Sequence, residues 1–288
     1  MVGAPAPPTG LPAPRKIELA RGGTTMLWDS GPVPGEAEPL VLLHGWNVDA
    51  PANFGFAFNE LSKDRRVVMF DHHGHGGGLR TDEPFSLEGA AGDVISVLDT
   101  LEIDRAVFVG YSLGGAIAQL VARDHPERVE AVVLMATAAV FSEQRRERAQ
   151  FGLFAVGAKA LRRLNESMRQ FAFQGISKAA CLKYPDWILA VVRTSDPIAL
   201  LEAGASLGGF DSRSWARTIE APVAVIITSK DPVIAPSRQF ELAKLAQADH
   251  VDTVDAEHSI AIEDDPRFAA AISKAVQAVA SVVDPVTP

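Results

Sequence analysis

Residues 107–115 read Val-Phe-Val-Gly-Tyr-Ser-Leu-Gly-Gly, an apolar strand that runs into Gly-x-Ser-x-Gly and then into the helix-forming run 116–122. A reversal this tight forces its central residue into strained backbone angles and brings neighbouring backbones nearly into contact, which explains the glycines on either side of Ser112. The strand tip lifts the Ser112 hydroxyl clear. It also places that hydroxyl at a helix N-terminus, where free N–H groups and the macrodipole favour negative charge. Residues 107–115 therefore display a serine as a nucleophile, with the strand before and the helix after carrying most of the weight.

A serine needs a base, and the chain offers seven histidines. His258 stands in a loop just past the short apolar run 251–254 and ahead of a helical pattern that begins near Pro266. Asp231 ends the most continuous β-branched run in the chain, 223–228, and is followed by Pro232. Ser112, Asp231 and His258 thus all fall at strand ends. In such a trio His258 accepts the Ser112 proton, while Asp231 fixes the imidazole tautomer and stabilises the imidazolium. The oxyanion of a tetrahedral intermediate also needs donors. The expected pair is the backbone N–H of Leu113, directly after the nucleophile, and that of Trp46, in the His44-Gly45-Trp46-Asn47 loop after the apolar run 40–43.

Strand then His-Gly, the turn Asp71-His72-His73-Gly74-His75-Gly76, Gly-x-Ser-x-Gly-Gly, a strand-end Asp-Pro and a late His together resemble the α/β-hydrolase superfamily over most of the chain. Two positions depart from its common pattern: His73 stands where Arg is frequent, and Glu257 stands where Gly often precedes the catalytic His. The resemblance implies a serine-nucleophile, esterase- or lipase-like member with a helical cap. The expected fold class is α/β, a mostly parallel twisted sheet with helices on both faces. Haloalkane dehalogenases and epoxide hydrolases of this fold use an Asp nucleophile, so Ser112 excludes them.

Periodicity supports the same architecture. A hairpin is expected from residues 16–19 through Gly22-Gly23 to 26–28, and strand-like runs recur at 40–43, 67–70, 106–109, 131–134, 223–227 and 251–254, separated mostly by helical patterns. Between Met135 and Ala221 the rhythm breaks into helix and loop, including 143–151, 158–173, 179–182 and 188–192. The expected organisation is a lead-in over 1–14, a core over 15–138 and 211–288, and a helical cap inserted at 139–210. The cap of such proteins supplies much of the pocket, so Phe141, Phe151, Phe154, Phe171, Phe173 and Trp187 are divided between lining it and packing on the core. Trp46 faces the same two readings.

Charge narrows the partners. The chain carries −9 overall, yet residues 139–210 hold ten Lys or Arg against six Asp or Glu, a surplus of four positive charges that leaves −13 on the remainder. A net acidic chain is a poor match for nucleic acid. The basic surplus reads either as the solvated faces of amphipathic helices (Arg145, Arg146, Arg148, Arg162, Arg163) or as a field that steers anionic substrates. Cys181 is the sole cysteine, so no internal disulfide forms, and no apolar run reaches the roughly 18 residues of a membrane span. Residues 1–14, rich in Ala and Pro, lack the basic start and apolar stretch of a signal peptide, and a cytoplasmic location is expected.

The chemistry read from Ser112, Asp231 and His258 is acyl transfer to water, first of a carboxylic ester, with lactone or thioester as close relatives. It calls for a small-molecule acyl substrate and no metal or organic cofactor. Asp71, His72, His73 and His75 admit a second reading as metal ligands, but their spacing matches the family turn, in which the histidine supports the loop. Three alternatives use the same serine: hydrolysis of a carbon–carbon bond in a vinylogous diketone, cofactor-free perhydrolase or haloperoxidase chemistry, and a ligand receptor that keeps the triad. The first often has an aromatic shortly after its histidine, whereas Ser259-Ile260-Ala261-Ile262 follows here.

Overall fold

The computed structural model describes residues 6–33, 37–180 and 184–283. Cys181 and the end of the helical run 179–182 lie outside them. Eight strands form one sheet: β1 (Arg15–Glu18), β2 (Thr24–Asp29), β3 (Leu40–Leu43), β4 (Val67–Phe70), β5 (Ala106–Tyr111), β6 (Val129–Met135), β7 (Val223–Thr228) and β8 (His250–Val254). Their spatial order is β1-β2-β4-β3-β5-β6-β7-β8. The β1–β2 hairpin and the β2–β4 pair are antiparallel, and from β4 through β8 every pairing is parallel.

Parallel strands need crossovers that cover both faces, and the central strands are accordingly apolar on both sides. Val41 and Leu43 of β3, Phe108 of β5 and Val225 and Ile227 of β7 face one core with α2 (Leu87–Thr100) and α3 (Leu113–Asp124). Their alternates Leu40, Leu42, Val109, Ala224 and Ile226 face the other core with α1 (Ala50–Leu61) and α9 (Pro266–Val283). There the Phe54 and Phe268 rings stack at 5.9 Å. Helix starts follow local chemistry: Asp49 caps α1 by accepting from the Ala52 N–H at 2.8 Å, and Ser86 caps α2 through the Gly89 N–H at 3.0 Å.

Between β6 and β7 the chain forms α4 (Arg145–Arg162), α5 (Glu166–Ala180), α6 (Asp186–Thr194) and α7 (Pro197–Gly209). The runs expected as separate helices at 143–151 and 158–173 divide elsewhere. Helix α4 continues to Arg162, and the break comes at Asn165, whose side chain caps the Met168 N–H at 3.0 Å. Helix α7 was not singled out by periodicity; its signal is Asp196-Pro197, a cap residue followed by a first-turn proline, with Asp196 accepting from Ile198 at 2.7 Å. The two ends of this helical stretch meet through a bridge between Val140 and Asp211 and the Ser212 N–H to Ala139 carbonyl bond at 2.8 Å. Residues 6–14 lack regular secondary structure, with Pro8 and Leu11 against Gly55 of α1. No helix among the described residues is long and apolar enough to cross a membrane.

The turn after β5 is the tightest point of the fold. A Cβ on Gly110 would meet the Gly114 carbonyl oxygen at 2.5 Å, and one on Gly114 would collide with the Leu43 carbonyl. Both obstacles are backbone and cannot swing away. Gly114→Ala is therefore expected to destabilise the protein by about 3 kcal/mol or more, read as a lower denaturation midpoint in urea. An unchanged midpoint would mean that β3 and α3 separate more easily than this packing implies.

Candidate active site

All three expected residues converge beyond the C-terminal edge of the parallel strands. Ser112 follows β5, Asp231 follows β7, and His258 follows β8. Ser112 holds φ 53° and ψ −112°, a left-handed conformation rare for a residue with a side chain. The strain is held in place by the Ser112 N–H to Met135 carbonyl bond at 3.0 Å and by the Thr137 hydroxyl donating to the Ser112 carbonyl at 2.8 Å. His258 Nε2 lies 3.1 Å from Ser112 Oγ, and His258 Nδ1 lies 2.7 Å from Asp231 Oδ2. This is the relay geometry in which the carboxylate sets the tautomer and leaves Nε2 free to accept.

The carboxylate is saturated. Besides His258, Asp231 Oδ2 accepts from the Thr228 hydroxyl at 2.8 Å and from Gln239 Nε2 at 3.3 Å, while Oδ1 accepts from the Val233 and Ile234 N–H groups at 2.8 Å each. Burial alone would raise this carboxyl, but the His258 bond and charge, the Ile234 N–H and the Thr228 hydroxyl together outweigh it and hold Asp231 below its usual range. On the other side, the buried Tyr111 hydroxyl donates to the His258 carbonyl at 2.7 Å, tying the histidine loop to the strand that ends at Ser112. Tyr111, Thr228 and Gln239 were not foreseen. Tyr111 lay inside the serine motif, but Gln239 had no local signal, because α8 (Pro236–Leu245) reaches Asp231 only through the fold.

The loop after β3 approaches the same point. A Cβ on Gly45 would lie 3.5 Å from Ser112 Cβ. The Gly45 N–H is already donated to Asn53 Oδ1 at 2.7 Å, so it is unavailable to a ligand. Trp46 is the next amide in this loop. The Leu113 N–H is the first of α3 and, as an N-terminal helix amide, has no intrahelical acceptor. The Trp46 side chain packs: its Nε1 donates to the Leu200 carbonyl at 2.8 Å, and its ring meets Phe154 edge-on at 5.1 Å, joining the loop to α7 and α4. Of the other aromatics, Phe141 and Phe173 are buried, Phe141 lying against Phe210, while Phe171 is 81% exposed and does neither job expected of it.

The histidine-rich turn is structural packing of an unusual kind. His44, His72, His73 and His75 are all buried, with the His44 and His72 rings 4.1 Å apart. His44 Nε2 accepts from the His72 N–H at 2.9 Å, which leaves Nδ1 as the donor to the Gly45 carbonyl at 2.8 Å; His75 Nδ1 pairs with the His73 carbonyl at 2.9 Å. Among the described residues no group of three or more His, Cys, Asp or Glu is placed to hold a metal ion. Arg80 braces the turn, donating to the Gly76 and Gly78 carbonyls and to Thr194 at the α6–α7 junction. It supplies a cation beside a His73 that carries none.

Burial, reinforced by nearby cations and imidazoles, pushes His72 down to about 3, His73 and His75 to about 4, and His44 well below the ordinary imidazole range. These groups stay neutral in the native protein while the unfolded chain binds protons below about pH 6.5. Their contribution to stability is therefore present above that pH and is lost as pH falls toward 4. Asp71, raised to about 7 by burial and by Asp49, acts in the opposite sense across the same window, as do Asp49, Glu38 and Asp93, each raised chiefly by burial, and together they offset part of the loss. The expected net result is lower stability at about pH 4 than at about pH 6.5, measured by urea unfolding across that range. Equal stability at both ends would contradict the neutral, buried state of these imidazoles.

Against this geometry the comparisons with known proteins are decisive for the family. The sequence profile described as alpha/beta hydrolase fold matches residues 38–265. The chain belongs to the α/β-hydrolase fold family. This α/β-hydrolase resembles 2-hydroxymuconate semialdehyde hydrolase of Pseudomonas sp. (strain CF600), 41% identical over 125 residues that span 42% of the chain and 43% of the relative. The chain thus spans less than half the length of that curated relative. Among solved structures, a hydrolase from Pseudomonas aeruginosa superposes with a TM-score of 0.73 at 25% identity, covering 93% of this chain and 98% of the other. The enol-lactonase from Burkholderia xenovorans superposes with a TM-score of 0.70 at 26% identity, covering 91% and 100%.

Proposed function

We propose that this α/β-hydrolase cleaves a carboxylic ester, or a related lactone or thioester, through an acyl-serine intermediate formed on Ser112. The observation that carries the reading is the His258 imidazole set between Ser112 Oγ at 3.1 Å and Asp231 Oδ2 at 2.7 Å. His258 takes the Ser112 proton as Oγ adds to the carbonyl carbon, and returns it to the departing alkoxide as the acyl–oxygen bond breaks. Water then adds to the acyl-serine by the same route and releases the acid. The N–H groups of Leu113 and Trp46 hold the oxyanion in both steps, where one such donor is worth about 10²–10³ in rate. In this reading residues 139–210 form the cap over the site and residues 15–138 with 211–288 form the core. The support is the burial of Ser112, only 7% exposed, and the Trp46 contact to α7 and α4.

The similarity to 2-hydroxymuconate semialdehyde hydrolase favours one second reading, hydrolysis of a carbon–carbon bond in a vinylogous diketone by the same serine. One experiment separates the two. Wild type and Ser112→Ala are treated with a fluorophosphonate probe, and wild type is then assayed on p-nitrophenyl esters from acetate to palmitate and on 2-hydroxymuconate semialdehyde. Ser112-dependent labelling with ester turnover peaking at one chain length establishes the first reading. Labelling with turnover of the semialdehyde alone establishes the second. No labelling removes both.

A further inference from the structure

We infer that the outer face of α4 is a docking surface for an anionic lipid membrane. On an α-helix, residues three and four apart share a face. Arg145, Ala149, Gly152, Leu153, Val156, Ala160 and Arg163 follow that spacing, and every one of them is exposed. Leu153 is 68% and Val156 63% exposed, far more than apolar side chains on a helix packed into a globular body normally are. The opposite face, with Phe151, Phe154, Ala158 and Leu161, turns inward, so the exposure is not that of a displaced core stripe. On the next helix Met168 and Phe171 are also exposed, at 52% and 81%.

Charge identifies the occupant. The outward apolar centre is bounded by Arg145 and Arg146 at one end and Lys159 and Arg163 at the other, and the helix is roughly 27 Å long at 1.5 Å per residue. Among the described residues none of these four cations has an acidic partner. Arg162, by contrast, pairs with Glu202, and the single acid of the helix, Glu147, is held by Arg238 of α8. A second copy docking antiparallel on this face would set Arg145 and Arg146 against Lys159 and Arg163, like against like. A membrane of anionic headgroups over acyl chains instead matches both the basic ends and the apolar middle of a helix lying in its plane. The −13 carried outside residues 139–210 would be repelled from the same surface, so the molecule approaches with α4 foremost.

The test is co-sedimentation of the full chain with vesicles of phosphatidylcholine alone and of phosphatidylcholine mixed with phosphatidylglycerol, at about 0.15 M salt. Binding to the anionic vesicles is expected to exceed binding to the neutral ones by about tenfold or more. Arg145→Gln with Arg146→Gln, and separately Leu153→Ser with Val156→Ser, should each lower it by about tenfold. Circular dichroism and the melting midpoint check that both variants fold. Absence of binding to anionic vesicles, equal binding to both vesicle types, or binding unaltered in both folded variants would overturn the inference. So would a concentration-dependent dimer that Leu153→Ser with Val156→Ser disperses, which would assign the face to a second copy.

Discussion

Ser112→Ala and His258→Ala are each expected to lower kcat/KM on the best ester by about 10⁴–10⁶-fold, and the double variant to be scarcely worse than either. In the proposed mechanism nucleophile and base act in one proton transfer across the 3.1 Å Oγ–Nε2 contact, so removing either partner already abolishes it. What survives is the contribution of binding and of the oxyanion donors, which neither substitution touches. Single-turnover rates for the three variants settle the matter. Losses that add in the double variant would mean that Ser112 and His258 act independently, and the proposed relay would have to be abandoned. Neither substitution should change folding much, because the strained turn is held by backbone bonds and by Thr137 rather than by the Ser112 hydroxyl.

Asp231→Asn is the second large effect, a loss of about 10⁴ in kcat. The amide has nearly the shape of the carboxylate, and the Val233 and Ile234 N–H groups can keep their bonds to its oxygen. The other position cannot be kept. Oδ2 now accepts from His258, Thr228 and Gln239 together, and an NH₂ placed there would donate toward His258 Nδ1, which forces the proton onto Nε2. An Nε2 that already carries its proton cannot accept one from Ser112. The imidazolium would also lose the charge that stabilises it. The measurement is kcat on the same ester together with the melting midpoint. A folded variant within tenfold of wild type would show that Asp231 is not the residue that orients His258.

The strands and the three polar residues at their ends were legible because their signals are local. Apolar runs such as 40–43, 106–109 and 223–227, short, rich in branched residues and bounded by turn signals, suit strands covered on both faces, and all three lie in the parallel part of the sheet. Gly110 and Gly114 announce a turn so close that only a hydrogen side chain fits. Less was legible where the determinant is distant in sequence. The break between α4 and α5 depends on Asn165 capping α5 and on the packing of α4 against α7, neither of which sequence periodicity registers. The histidine turn showed the spacing of its family motif but not the burial that keeps four imidazoles neutral.

Sequence alone thus determined the fold class and which polar residues stand at the strand ends, since hydrophobic period and turn stereochemistry act over a few residues. The tertiary structure decided how those atoms are held. Tyr111 reaches the His258 carbonyl across 147 positions, and Gln239 of α8 completes the donor set on Asp231. It also decided which face of α4 is left to solvent, because that depends on where α7 lies. Side-chain hydrogen bonds and burial are set by where separate elements meet in space, and no local pattern encodes that meeting.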